Sequence, residues 1–280
     1  MSVNTERLHR SLMSARFEIL PLRGAVEQAE HLPPGTTVTV TSSPAKGVDA
    51  TVDLAARLRA RGYHAVPHLA ARLVSDDAHL VALLDRMAVE GLSEAFVVAG
   101  DSPRPAGEFP DALSLLRRMH ELQRRPARVG ITGYPERHAF IPDHAAVQAM
   151  NDKAGCADYV VSQICYDPVT IASWVKTVRA RGITLPIHIG VPGVVDVTKL
   201  LRISLKIGLG ESMRFLRKQH GVVSRLLTRY TPDELFDELS PYLVDPSEGI
   251  AGWHFFTFNE VAKTVEWRHR LAAELGEVPA

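Results

Sequence analysis

The chain has 280 residues, 46% of them hydrophobic and 23% charged, with 32 Lys+Arg against 32 Asp+Glu. That size can bury a core without disulfides, and the apolar content at zero net charge excludes disorder as the main state. A pI of about 7.2 excludes a basic nucleic-acid surface and a polybasic membrane anchor.

The first strand is predicted over Ala15–Leu20, with a short helix over Ala25–Glu30. The second, Thr37–Thr41, is followed by a helix over Asp49–Arg61, where Val52, Ala55, Ala56 and Leu58 form an apolar stripe. The third, Tyr63–Pro67, precedes a helix over Asp76–Val89, whose leading aspartates suit a helix N-terminus. Ala95–Ala99 precedes Asp111–Gln123, Arg128–Thr132 precedes Asp143–Met150, and Tyr159–Ile164 precedes Pro168–Arg181, which opens on a first-turn proline. Pro186–Gly190 precedes Val197–Ile207, and Gly252–Phe256 precedes Asn259–Leu275. Eight strand–helix units in 280 residues predict an α/β fold, a (β/α)8 TIM barrel forming one domain. A helical insertion is predicted between strands seven and eight, over about 208–249, with a basic helix (Glu211–Arg229) and an acidic one (Pro232–Tyr242). A doubly wound open sheet wants a glycine-rich turn after the first strand, and FEILPLRGA has none.

No run of about eighteen apolar residues would span a bilayer. The N-terminus has no signal-peptide pattern, and Cys156 and Cys165 form no CxxC pair. A cytoplasmic protein is the expectation, with homo-oligomerisation through apolar patches on the helices.

In such a barrel the site lies where strands end. The polar residues there are Glu18, Thr41, His68, Asp101, Tyr134, His138, Gln163, Tyr166 and Asn259. Glu18 sits among apolar neighbours, where burial would raise its pKa and suit a general acid; a salt bridge to an arginine is the other reading. Asp101 fits a turn residue as well as a functional carboxylate, and Gln163 a hydrogen-bond filler as well as a ligand. The 12 histidines include no HxH or HExxH pair, and His64 and His68 are roughly 13 Å apart on a strand, so no metal site is expected.

Taken in order, FEILP, TVTSS, VPHL, VAGD, GYPERH, SQICYD and FFTFN resemble the strand ends of methylenetetrahydrofolate reductases, over about residues 15 to 267. The resemblance implies a (β/α)8 flavoprotein that interconverts 5,10-methylenetetrahydrofolate and 5-methyltetrahydrofolate with FAD as cofactor and NAD(P)H as electron donor. It implies Glu18 as general acid, Asp101 as the charge that stabilises a cationic iminium, and Gln163 as the pterin's hydrogen-bond partner. Thr41, His68, Gly100, Asp101, Phe109, Tyr134, His138 and Lys153 would line FAD, and Gln163, Tyr166 and Asn259 the folate. The sequence departs from the family at Ala99, where an arginine is usual, at Val197 in place of an aromatic, and at Glu260 in place of an arginine near the folate's glutamate tail. Two alternatives stand beside this reading: a flavin-independent reductase, which the missing arginine before Gly100 favours, and a non-catalytic pterin- or nucleotide-binding barrel that regulates a methyltransferase.

Overall fold

The computed structural model of the chain describes residues 2–136, 142–207 and 229–277. Seven parallel strands come in chain order: β1 (Arg16–Ile19), β2 (Thr37–Val40), β3 (His64–Ala70), β4 (Glu94–Val98), β5 (Arg128–Gly133), β6 (Tyr159–Ser162) and β7 (Ile187–Pro192). A small antiparallel ribbon follows, β8 (Val195–Asp196) with β9 (Arg229–Tyr230). The last strand, β10 (Ile250–Phe256), lies between β7 and β1 and closes an eight-stranded barrel.

Alternation along the strands separates two compartments. Phe17, Ile19, Val38, Val97, Ile131 and Phe255 face outward into the apolar layer shared with the helices. The helices begin where the sequence supplies caps: Asp76 accepts from the His79 amide at 2.7 Å, Asp111 and Ser114 form a capping box, and Asp167 caps a helix with Pro168 in its first turn.

The inward residues form a filled interior rather than a pore. At the N-terminal end, buried Glu94 faces Arg16 at 2.5 Å, His64 at 2.8 Å and Arg128 at 3.4 Å. Burial pushes the Glu94 carboxyl up, but hydrogen bonds from His64, Tyr159 and Arg16, together with the Arg16 charge, outweigh it and hold the group well below the usual carboxylate range. Both guanidinium groups lie over the Tyr159 ring. Gly130 leaves the room for that ring, since a Cβ there would stand 2.2 Å from it.

Helix α1 (Val3–Met13) is not among the elements anticipated from sequence; it packs on β10 and on the helices Asp233–Val244 and Val261–Glu277. The acidic helix also has a different place from the one expected. Asp233–Val244 packs against α1, the Pro168–Ala180 helix and β10, with Phe236 stacked 5.4 Å from Trp253. It therefore sits in the outer helical ring and is no part of an excursion from the barrel. The helix Val197–Ile207 instead packs on the ribbon strand β8. The basic helix expected over 211–229 lies outside the described residues except at Arg229.

Candidate active site

The C-terminal mouth is organised around Glu18. Parallel pairing puts Glu18 beside Thr39 on one side and Phe256 on the other, while His254 lies opposite Arg16. Two imidazoles face the same carboxylate oxygen. His254 Nε2 is 3.3 Å from Glu18 Oε2, and His68 Nε2 is 3.7 Å from it. The Glu18 side chain is only 13% exposed, and burial raises its pKa to about 7 against a smaller lowering by His68. Burial also lowers His68 to about 4, and burial with the nearby Arg16 charge lowers His254 to about 3. Between about pH 4 and 7 these are an acid that holds its proton and two uncharged imidazoles, an arrangement suited to a general acid and not an ion-pair cluster. The sequence-level salt bridge to an arginine does not form: Arg16, the arginine on the same strand, binds Glu94.

His254 is a site residue that sequence reasoning missed. In GWHFFTF it reads as a polar interruption of an apolar run. Its inward direction depends on a register shift between Ile250 and Gly252, with Gly252 at φ +150°; such a bulge re-aims the side chains that follow. Phe256 meets the His254 ring edge-on at 4.9 Å. Gly190 makes room for Phe256: a Cβ there would lie 2.7 Å from the Phe256 ring and 2.0 Å from the Ser162 carbonyl oxygen.

The remaining expected residues divide. Gln163, two residues past inward-facing Val161, is partly exposed, and its Oε1 accepts from the Ile164 amide at 2.9 Å. Asp101 is exposed on the loop after β4. Its charge, after burial, raises the Tyr134 phenol, so Asp101 and Tyr134 sit near one another at the rim. Gly100 has φ +89° and a Cβ position 3.0 Å from the Ala70 Cβ, which suits glycine alone. Thr41 is half-buried beside the end of β1, its amide donating to the Ile19 carbonyl at 3.0 Å. Lys153 is buried on the helix Asp143–Ala154, where burial lowers its pKa. His138 lies outside the described residues.

Three placements depart from what the resemblance implies. Phe109 is buried in the apolar layer between barrel and helices, because the chain before the helix Ala112–Glu121 turns its ring into that core. Tyr166 is buried in a separate cluster with Ile164, Val195, Leu200 and Tyr230, under the ribbon. Asn259 accepts from the Leu20 amide at 2.8 Å and donates to the Leu20 carbonyl at 3.2 Å. It thus clamps the end of β10 to the end of β1. Glu260 is held by Lys199 and Lys263, each at 2.9 Å. Burial pushes its carboxyl up, but these two lysines outweigh that and keep it ionised and matched, so it does not present a bare negative charge.

Among the described residues no three His, Cys, Asp or Glu groups gather to hold a metal, and no helix is long and apolar enough to cross a membrane.

Residues 21–209 match a family model described as methylenetetrahydrofolate reductase. Methylenetetrahydrofolate reductase 2 of Saccharomyces cerevisiae is 28% identical over 121 residues, 39% of this chain and 19% of that protein. Methylenetetrahydrofolate reductase 1 of Schizosaccharomyces pombe is 28% identical over 144 residues, 47% of this chain and 22% of that protein. The matches thus span about a fifth of the length of these relatives. Among solved structures, a Clostridium thermocellum protein that binds two copies of 5-methyl-5,6,7,8-tetrahydrofolic acid superposes with a TM-score of 0.59 at 10% identity, covering 98% of this chain and 100% of that one. A Rhizomucor miehei chitinase reaches 0.50 at 12% identity, covering 92% and 99%. At such identities these two report the barrel fold alone.

Proposed function

The chain belongs to the methylenetetrahydrofolate reductase family, and from that premise we propose that it is an oxidoreductase interconverting 5,10-methylenetetrahydrofolate and 5-methyltetrahydrofolate, with Glu18 as general acid and NAD(P)H as hydride source. The observation that carries the reading is a buried carboxyl group at the barrel mouth with two buried imidazoles facing one of its oxygens, its pKa raised by burial. In the reducing direction, Glu18 gives its proton to N10, the N10–methylene bond breaks, and an iminium remains at N5. Hydride then adds to the iminium carbon, forming the methyl group, and Glu18 recovers a proton from solvent. Asp101 supplies negative charge for the cation, and Gln163 offers its amide NH2 to the pterin, since its oxygen is engaged by the Ile164 amide. A non-catalytic binding barrel has no need of an acid poised in this way.

The resemblance routes the electrons through FAD. The residues present fit FAD only in part. His68 points at Glu18, Phe109 is buried in the apolar layer, and Ala99 stands in place of an arginine. Thr41, Gly100, Asp101, Tyr134 and Lys153 keep positions that would line it, and His138 lies outside the described residues, but these three departures each remove a contact. These placements favour hydride transfer directly from NAD(P)H to the folate, so no step is assigned to a flavin.

The test is an absorption spectrum of the purified protein, then turnover assayed with and without added FAD. Stoichiometric NAD(P)H oxidation and 5-methyltetrahydrofolate formation in flavin-free protein is the expected result. Turnover only after FAD loading would restore the flavin route, and no turnover in either state would remove the reductase assignment.

A further inference from the structure

Glu18 has two oxygens, and only one of them can deliver the proton. Oε2 faces His254 at 3.3 Å and His68 at 3.7 Å, and the second of these distances is too long for a hydrogen bond. His254 is 1% exposed, and its Nδ1 has no hydrogen-bond partner among the described residues. A neutral imidazole carries one N–H. On Nδ1 it would be a buried donor with no acceptor, whereas on Nε2 it meets Oε2.

We propose that His254 is the positioning residue of the acid: its Nε2–H donates to Oε2 of Glu18, fixes that oxygen as an acceptor, and leaves the acidic proton on Oε1 for the substrate. The inference rests on Glu18 acting as the acid. The groups facing Glu18 are few. β10 supplies His254, β3 supplies His68, β2 supplies uncharged Thr39, and Arg16 lies two residues back on its own strand. Arg16 bears on both imidazoles, burial together with its charge keeps His254 neutral, and His254 in turn bears on His188 of β7. The same N–H that orients the neutral acid stabilises the carboxylate left after proton transfer, so one contact serves both halves of the step.

The experiment titrates Glu18 in the folate-free protein by isotope-edited infrared spectroscopy, with Glu18→Gln as the subtraction. His254→Leu, which keeps volume and removes the donor, should move the Glu18 midpoint up by about one pH unit, the scale of one hydrogen bond to a charged group. His254→Gln, which restores a donor, should return most of the shift and of the turnover. His254→Asn, too short to reach Oε2, should resemble Leu and is the variant to read if Leu fails to fold. A midpoint that stays or falls in both Leu and Asn, or that Gln leaves unrestored, overturns the proposal. Glu18→Gln separates this from the functional reading: full turnover in that variant removes the acid assignment, while the titration of Glu18 against His254 is read independently of turnover.

Discussion

At the scale of the residue, Glu18 shows how a single environment sets chemistry. Among the described residues its Oε2 faces two buried imidazoles and no charged partner, so the neutral form is favoured and the proton stays available. Folate reduction is therefore expected to be flat at acid pH and to decline tenfold per unit once pH passes about 7, as read from single-turnover rates. Glu18→Gln should lower that rate by about 100-fold or more, the usual scale for losing a general acid, while NAD(P)H binding, followed by fluorescence, holds. A rate that rises through pH 8 would contradict the acid role. Glu18 itself was legible, because an acid inside Phe17-Glu18-Ile19-Leu20 on a strand must be buried. His254 was not legible: its direction is set by a register shift two residues earlier, which leaves no mark in composition.

At the scale of the element, the end of β10 is tied to the end of β1 by side chains. Asn259, at φ +62°, holds both polar groups of Leu20, and Thr257 Oγ1 donates to the Glu18 carbonyl at 2.6 Å. Asn259→Ala removes two hydrogen bonds and places alanine in the left-handed region, which asparagine tolerates better. Urea unfolding should show a loss of about 2 kcal/mol, with lower folate turnover because β1 carries Glu18. Gly190→Ala should cost about 3 kcal/mol, since its Cβ meets backbone at 2.0 Å and the Phe256 ring at 2.7 Å. A midpoint unchanged from that of the parent protein in either variant would show that the strand ends relax freely. The strands were legible from their alternation and their β-branched runs. The Asn259 clamp joins positions 239 residues apart, and no local pattern encodes such a contact. The place of Asp233–Val244 is hidden for a related reason: the length of chain between strands seven and eight assigns it to an insertion, while Leu235, Phe236 and Leu239 are buried and fix it in the ring.

At the scale of the molecule, the buried interior couples folding to pH in two opposing senses. Glu18 goes from 4.5 to about 7 on folding, so the folded chain holds a proton that the unfolded chain releases, and stability falls as pH rises between those values. His68 goes from 6.5 to about 4, and His188 and His254 from 6.5 to about 3. Their contribution is complete above 6.5 and is lost as pH falls. Three imidazoles outweigh one carboxyl, so urea midpoints should climb from pH 4 to about 6.5 and then decline slightly to about 7. Glu18→Gln should abolish the decline alone; a decline that persists in that variant would assign it to another group. The seam between β1 and β10 has a consequence for biosynthesis. A polypeptide leaving the ribosome carries Glu18 from its first strand, but the histidine that faces it arrives 236 residues later. Until then the cylinder has open edges and an acid in water, so sealing the edges and sheltering the acid are one late, long-range event. A circular permutant that joins the two ends of this chain and opens it between two other strands would turn the seam into a single crossover through the helices Val261–Glu277 and α1, and it should fold faster with the same chemistry.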